Sequence, residues 1–320
     1  MKRNRLLTVL LSGVLVLSLA GCGASKKDDK TITIGVSPVP HKEIVEQIKS
    51  EVEKDGYTLE IKEFDDYETP NTAVQEGEID ANYFQHIAYL NTTNEQKGYN
   101  LINVAEIHFE PMALYSNKLS DVNSIKEGST IAIPNDPSNE ARALRLLGKA
   151  GLIKVKDGEL ITVADVTENT KNLKFKELEA AQLPRILEEV EGAVINGNYA
   201  LAANLNTNEN GIFVEDNKDS LIRDYTNILA VKEGNESSDK ISVLKKALTS
   251  EKVKEYITRF GGTITNVDEW GKKKLAYDIQ KMSEGFYYFI QFDAEPTVPA
   301  EVEQDVRIMD NVLRFLVVRK

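Results

Sequence analysis

The sequence predicts an α/β protein of two wound lobes, followed by an α+β tail of different construction. Three observations predict it. From residue 30 to about 106, short β-branched strands alternate with amphipathic helices in a β-α-β-α rhythm, the pattern of a wound sheet. Two extended stretches, 112–116 (MALYS) and 225–231 (YTNILAV), stand where a chain would cross into a second lobe and return. From residue 261 the rhythm becomes β-β-α-β. The expected division is 31–112 with 229–258 for the first lobe, 113–228 for the second and 259–320 for the tail. Two lobes joined by two crossings enclose a cleft suited to a small ligand.

Each element has a local reason. Residues 30–39, KTITIGVSPV, alternate and break at prolines, as a strand does. Ile44, Ile48 and Val52 recur at helical spacing up to Gly56. Strands follow at 58–64, 79–83 and 101–106, with helices at 69–77 and 85–90. Residues 130–133 form a β-branched strand, which Pro134, Asn135, Asp136 and Pro137 end in a tight turn. Asp136 can cap a helix whose first position is Pro137, because the residue before a proline is held extended. Ala141, Leu144 and Leu147 share one face of that helix, and Gly151 ends it. A strand at 171–177, a helix at 180–189, a strand at 192–195 and a polar loop at 204–211 complete the second lobe. One long helix is expected over 240–260. In the tail, residues 262–279 and 286–294 read as a hairpin, 299–310 as a helix and 312–319 as a last strand.

Composition narrows the function. The chain has 320 residues, enough for two or three core-bearing units, and a net charge of −12, which argues against general binding to nucleic acid or anionic lipid. Lys2, Arg3 and Arg5 precede an apolar run at 6–19, too short to span a bilayer of roughly 20 residues but right for a secretory signal. The run ends Leu19-Ala20-Gly21-Cys22, which resembles the bacterial lipobox, so residues 1–22 read as a lipoprotein signal peptide and Cys22 as the lipidated residue. Cys22 is the only cysteine, and no intrachain disulfide is possible. Residues 23–30, GASKKDDK, read as a flexible tether. The mature chain is therefore expected on the outer face of the cell membrane, held by its lipid.

Two stretches carry candidate chemistry. The strand–turn–helix at 130–151 delivers a helix N-terminus to a sheet edge, and Arg142 adds a planar donor fork suited to a carboxylate. The plainer alternative there is an ordinary strand–turn–helix with a solvated arginine. The stretch 80–90, DANYFQHIAYL, puts Tyr83, Phe84, His86 and Tyr89 within seven residues. It is either an aromatic core cluster or an apolar box with polar rims.

The order of these motifs resembles the methionine-binding lipoproteins of bacterial ABC importers, the NlpA/MetQ family. The likeness is carried by the lipobox, by FDDYETPNTAVQEGEIDANYFQHIAYL at 64–90, EPMALYSNKL at 110–119, IPNDPSNEARAL at 133–144, AVINGNYAL at 193–201 and DYTNILAV at 224–231. It implies a two-lobe, type II periplasmic-binding-protein fold that captures methionine and hands it to an ABC permease and its ATPase. It implies that Arg142 pairs with the ligand carboxylate and that Asn139, Asn196 and Asn227 hydrogen-bond its backbone. Tyr67, Phe84, His86 and Tyr89 are then implied to line the thioether pocket, where sulfur against aromatic edges is favourable. A monomer without cofactors is expected.

Rival chemistry finds little support. His41, His86 and His108 are far apart in sequence with no dyad spacing, so no metal site is expected. No phosphate-cradling loop, nucleophile elbow or His-Glu-x-x-His occurs, and no enzyme is expected. The tail, GGTITNVDEWGKKKLAYDIQKMSEGFYYFIQFDAEP with VLRFLVVRK, resembles the bacterial small-subunit ribosomal protein six family. That family is ferredoxin-like, and the tail supplies only a β-β-α-β portion, an incomplete copy at the end of an apparent chimera. The resemblance offers an alternative function, ribosomal RNA binding, which the signal sequence and acidic balance oppose. A third reading is a surface lipoprotein that keeps a binding fold without an amino-acid ligand.

Overall fold

A computed structural model describes residues 30–216, 222–258, 264–279 and 282–292. The expectations for the signal peptide, Cys22, the tail helix at 299–310 and the strand at 312–319 lie outside the described residues.

The first lobe opens with β1 (Thr31–Val36), α1 (Glu43–Lys54), β2 (Thr58–Glu63), α2 (Thr69–Glu76), β3 (Ala81–His86), α3 (Ile87–Lys97) and β4 (Leu101–Phe109). The second holds β5 (Ala113–Tyr115), β6 (Thr130–Pro134), α4 (Pro137–Lys149), β7 (Lys154–Val155), β8 (Val166–Glu168) and β9 (Lys174–Leu178). It continues with β10 (Gly192–Ile195), α5 (Gly197–Ala202), α6 (Thr207–Asn210) and β11 (Gly211–Val214). The chain returns through β12 (Thr226–Lys232) to α7 (Asp239–Leu248) and α8 (Glu251–Thr258), and β13 (Ile264–Ile279) pairs antiparallel with β14 (Met282–Phe292).

Two five-stranded sheets result, ordered β2-β1-β3-β12-β4 and β11-β5-β10-β6-β9. Both sheets mix parallel pairs with antiparallel ones, β12 running against β3 and β4, and β10 against β5. Each is covered on both faces, so β1 and β6 are buried along nearly their whole length, Thr33 of the alternating β1 included. On one face of the first sheet, Ile44, Val45, Ile48 and Val52 of α1 pack with Ile241, Leu244 and Leu248 of α7; on the other, Val74 and Leu90 join Ile228 and Ala230. The second sheet is sandwiched by the Leu144–Leu147 face of α4 and by the cluster around Leu183, Leu187 and Ala200.

Several boundaries differ from expectation, each for a physical reason. The helix expected at 85–90 begins only at Ile87, because Gln85 and His86 pair with Ile228 and Asn227 across β12. The return strand starts at Thr226, so residues 226–228, expected in the second lobe, belong to the first sheet. The helix at 180–189 is a 3₁₀ segment, Ala180–Ile186, whose Pro184 withholds the donor an α-helix needs. The long helix at 240–260 breaks at Thr249, which leaves helical geometry (φ −97°, ψ 9°), and α8 restarts as the Ser250 carbonyl accepts from Val253 and Lys254. The polar loop at 204–211 contains the one-turn α6.

Candidate functional site

All eight residues named from the sequence line one cavity between the two sheets. Tyr67, Phe84, His86, Tyr89 and Asn227 come from the first lobe, and Asn139, Arg142 and Asn196 from the second. Gln85, Glu110, Gly197 and Asn198 complete the lining. The closed part of the cavity is small, about 20 Å³, within an envelope of about 320 Å³ that includes its mouth and open solvent.

One wall is aromatic. The Tyr67 ring lies 5.8 Å from Phe84 and 5.5 Å from Tyr89 in tilted and edge-on contacts, and 4.8 Å from Tyr199 of α5. The hydroxyls are spent within the wall: Tyr67 donates to Asn198 Oδ1 at 2.5 Å and Tyr89 to the Tyr67 carbonyl at 3.0 Å. Burial raises both phenols above their ordinary range, so they stay neutral donors.

The other wall is polar, and its hydrogen bonds run in one direction. Asp136 caps α4, accepting from the Asn139 N–H (3.0 Å), from Asn139 Nδ2 on both oxygens (2.9 and 3.0 Å) and from Ser138. A carboxylate that takes the Nδ2 of Asn139 obliges its Oδ1 to accept in turn. Two donors use it: Asn196 Nδ2 at 2.7 Å and His86 Nε2 at 3.1 Å. His86 Nδ1 then accepts from the Tyr89 N–H, capping α3. That imidazole must be neutral, and burial, aided by the charge of Arg142, lowers its pKa to about 3.

Arg142 is 4 % exposed, so the solvated-arginine alternative does not hold. Its Nε and Nη2 engage the Glu215 carboxylate, with Nη2 at 2.5 Å, and Nη2 also donates to the Glu110 carbonyl at 2.8 Å. The Tyr225 ring stacks 4.3 Å from the guanidinium. Nη1 has no protein partner among the described residues. The helix N-terminus expected to receive an anion is already filled by Asp136, and among the described lining residues Arg142 is the one arginine or lysine.

Separation in sequence does not keep the histidines apart. His41 and His108 stack edge-on with ring centroids 5.2 Å apart, and with Glu110 they bring three potential ligand atoms within 4.8 Å of one another. His86 belongs instead to the Asp136 network. The cluster is internally bonded: Tyr83 Oη to His108 Nδ1 at 2.6 Å, His108 Nε2 to Glu110 Oε1 at 2.9 Å, His41 Nε2 to Asn227 Oδ1 at 3.1 Å. Burial opposes ionisation of Glu110, but the His41 and His108 imidazoles and Arg142 outweigh it and hold the carboxyl below its ordinary range. Sequence reasoning passed over Glu110; the available signal was a carboxylate beside Pro111, where the chain leaves β4 for the second lobe.

Comparison with known proteins agrees with this architecture. The family described as NlpA lipoprotein matches residues 32–265, and that described as Ribosomal protein S6 matches residues 240–319. The chain is 39% identical over 259 residues to Membrane lipoprotein TpN32 of Treponema pallidum, covering 80% of this chain and 95% of that one. It is 43% identical over 245 residues to the D-methionine-binding lipoprotein MetQ of Escherichia coli O157:H7, covering 75% and 89%. A nutrient binding protein from Burkholderia cenocepacia, solved bound to methionine, superposes with a TM-score of 0.68 at 40% identity over 72% of this chain and 96% of that one. With near-complete coverage of these relatives and a family match across both lobes, the chain belongs to the NlpA lipoprotein family.

Proposed function

We propose that this protein is a lipid-anchored receptor that captures methionine and delivers it to an ABC importer permease with its ATPase. The observation that carries the reading is the division of one cavity into a ring-lined end and an amide- and guanidinium-lined end. The rings of Tyr67, Phe84 and Tyr89 fit a thioether, since sulfur is favourable at aromatic edges. Arg142, whose Nη1 has no partner among the described residues, meets the ligand carboxylate, and Asn139, Asn196 and Asn227 bind its backbone. Relatives described as D-methionine-binding lipoproteins support the ligand class. The role is binding rather than catalysis. Diacylglycerol on Cys22 holds the chain at the outer membrane face, and closure of the lobes over the ligand forms the surface the permease reads.

The ribosomal-protein-like tail is a passenger on this reading. Its family match overlaps α7 and α8, yet Leu248 and Val253 of those helices are buried in the core of the first lobe. An RNA-binding unit would have to share a helix pair already committed there.

Calorimetric titration of L-methionine into the chain from residue 26 onward tests the proposal, beside Arg142→Ala and a form ending at residue 258. Saturable binding is expected in the long and short forms, with loss of at least ~100-fold in the arginine variant, which forfeits a charge-assisted contact. Absence of binding in both wild-type forms overturns the methionine reading.

A further inference from the structure

The guanidinium of Arg142 is fixed by the protein itself, and the residue that fixes it is absent from the cavity lining. Glu215 directly follows β11 and grips the arginine side-on: its two carboxylate oxygens lie 3.1 and 3.2 Å from Nε, and Oε2 lies 2.5 Å from Nη2. The grip is anchored in turn. Glu215 Oε2 accepts from the Met112 N–H at 3.0 Å, and the Glu215 N–H donates to the Met112 carbonyl at 2.9 Å. The carboxylate is thus tied down where β5 begins and β11 ends, two strands that pair in the second sheet.

With the Glu110 carbonyl also taking Nη2, at 2.8 Å, the Nε and Nη2 donors are spent, and among the described residues only Nη1 is left for a ligand. The Tyr225 ring, 4.3 Å from the guanidinium, and the Phe109 ring, 5.6 Å from it, steady its plane; Tyr225 is itself held, its hydroxyl accepting from Arg145 Nη1 at 2.9 Å. A carboxylate placed on such an arginine is either a rival that the ligand displaces or a support that stays. The bonds to Met112 favour the support. Withdrawal of Glu215 would unpair the N–H of the fully buried Met112 together with two buried charges, and the carboxylate is only 8 % exposed.

We propose that Glu215 is a positioning residue for ligand capture, one that touches no ligand and sets the orientation of Arg142 so that Nη1 is presented to the ligand carboxylate. Glu215, Arg142 and the strand start at Met112 belong to the second lobe, so the orientation is in place before the lobes close, and the cost of ordering the guanidinium falls on folding instead of binding. The inference rests on the methionine reading and deepens it. Its mark is selectivity: Glu215 matters for a ligand that carries a carboxylate and is of little consequence for one that does not.

Titration calorimetry with L-methionine and with L-methioninol, in which a CH₂OH group replaces the carboxylate, tests this on the chain from residue 26 onward and on Glu215→Gln, which keeps an oxygen for the Met112 N–H but loses the charged fork. Glu215→Gln is expected to weaken methionine by roughly 10- to 100-fold and to leave methioninol within about threefold, a split that a purely structural role would not produce. A variant that weakens both ligands equally overturns the proposal by reducing Glu215 to a strand anchor, and one that binds methionine more tightly overturns it by making Glu215 a rival. Nitrogen-15 NMR of the wild type decides separately should the variant fail to fold. The Nε–H signal that disappears in Arg142→Lys is expected to be protected from exchange without ligand and to stay protected when methionine saturates the site. Loss of that protection on saturation shows that the ligand displaces Glu215, which overturns the proposal. Wild-type protein silent to methionine overturns the methionine reading itself, a distinguishable result.

Discussion

The ring wall and the amide wall of the cavity each cross from one lobe to the other, but they are held by different forces. Tyr67 and Tyr89 pack on Phe84 and settle their hydroxyls locally, on Asn198 and on the Tyr67 carbonyl. Loss of one such contact costs in proportion to what it touched. The amide wall is a directed series in which Asp136 orients Asn139, and Asn139 orients both Asn196 and His86. Loss of its first member leaves every later polar group wrongly turned in a buried place. The comparison therefore predicts graded damage on one side and collective damage on the other.

Acid should separate the walls most sharply. His41 and His86 are lowered to about 4 and about 3, mainly by burial, so both remain neutral in the folded protein well below 6.5. The unfolded chain takes up these protons as the pH falls past 6.5, and the fold loses stability by about 2 kcal/mol per histidine at pH 5. Asp136 and Glu140, raised by burial, act in the opposite sense as they protonate. Glu110, held low, adds to the loss only below the ordinary carboxylate range. The ring wall has no group that titrates in this window. Urea unfolding at pH 7 and pH 5 should show the drop, and His86→Gln should lower the pH dependence by about half. Stability that is level or higher at pH 5 would contradict the neutral, directed network.

Next in size is the removal of the group that starts the series. Asp136→Ala deletes the α4 cap, worth about 1–2 kcal/mol, and frees the Asn139 amide to rotate. A total loss of about 2–3 kcal/mol is expected, since a buried amide is also left short of a partner. Methionine affinity should fall by at least ~100-fold although Asp136 is absent from the cavity lining. Thermal unfolding and calorimetry on the same preparation measure both. A variant that loses the stability but keeps full affinity would show that Asp136 caps a helix and directs nothing.

Much of the site was legible because its residues sit in local patterns. Asp136-Pro137 announces a capped helix, and Arg142 falls one to two turns in; the dense rings at 83–89 announce an aromatic cluster. What stayed hidden depends on register between distant strands. Asn227 lies opposite both His86 and His108, and that pairing extended β3 through His86 and brought β12 forward to Thr226. Glu110 became a cavity residue only because β4 ends beside α5, where Gly197 lacks a side chain. Histidines 67 residues apart in sequence meet through sheet order, which no spacing rule records. The break between α7 and α8 was missed because the apolar period runs on through Thr249 and Ser250 while their backbone does not.

The smallest expected effect lies at the rim of the ring wall. Tyr199 of α5 stacks on Tyr67 and donates its hydroxyl to the Asp65 carbonyl of the opposite lobe at 3.1 Å, in an exposed setting. Tyr199→Phe keeps the ring contact and deletes one solvent-accessible hydrogen bond between the lobes. Such a bond is worth about 0.5–1.5 kcal/mol, and because it forms only when the lobes meet, its loss falls on the closed form. Unfolding stability of the separate lobes has little reason to change, whereas the methionine dissociation rate should rise by roughly 2- to 10-fold, the same energy expressed as a rate. Stopped-flow displacement of bound methionine reads that rate directly. An unchanged rate would mean that the ring stack alone holds the rim, and a loss as large as that of Asp136→Ala would erase the contrast between the two walls.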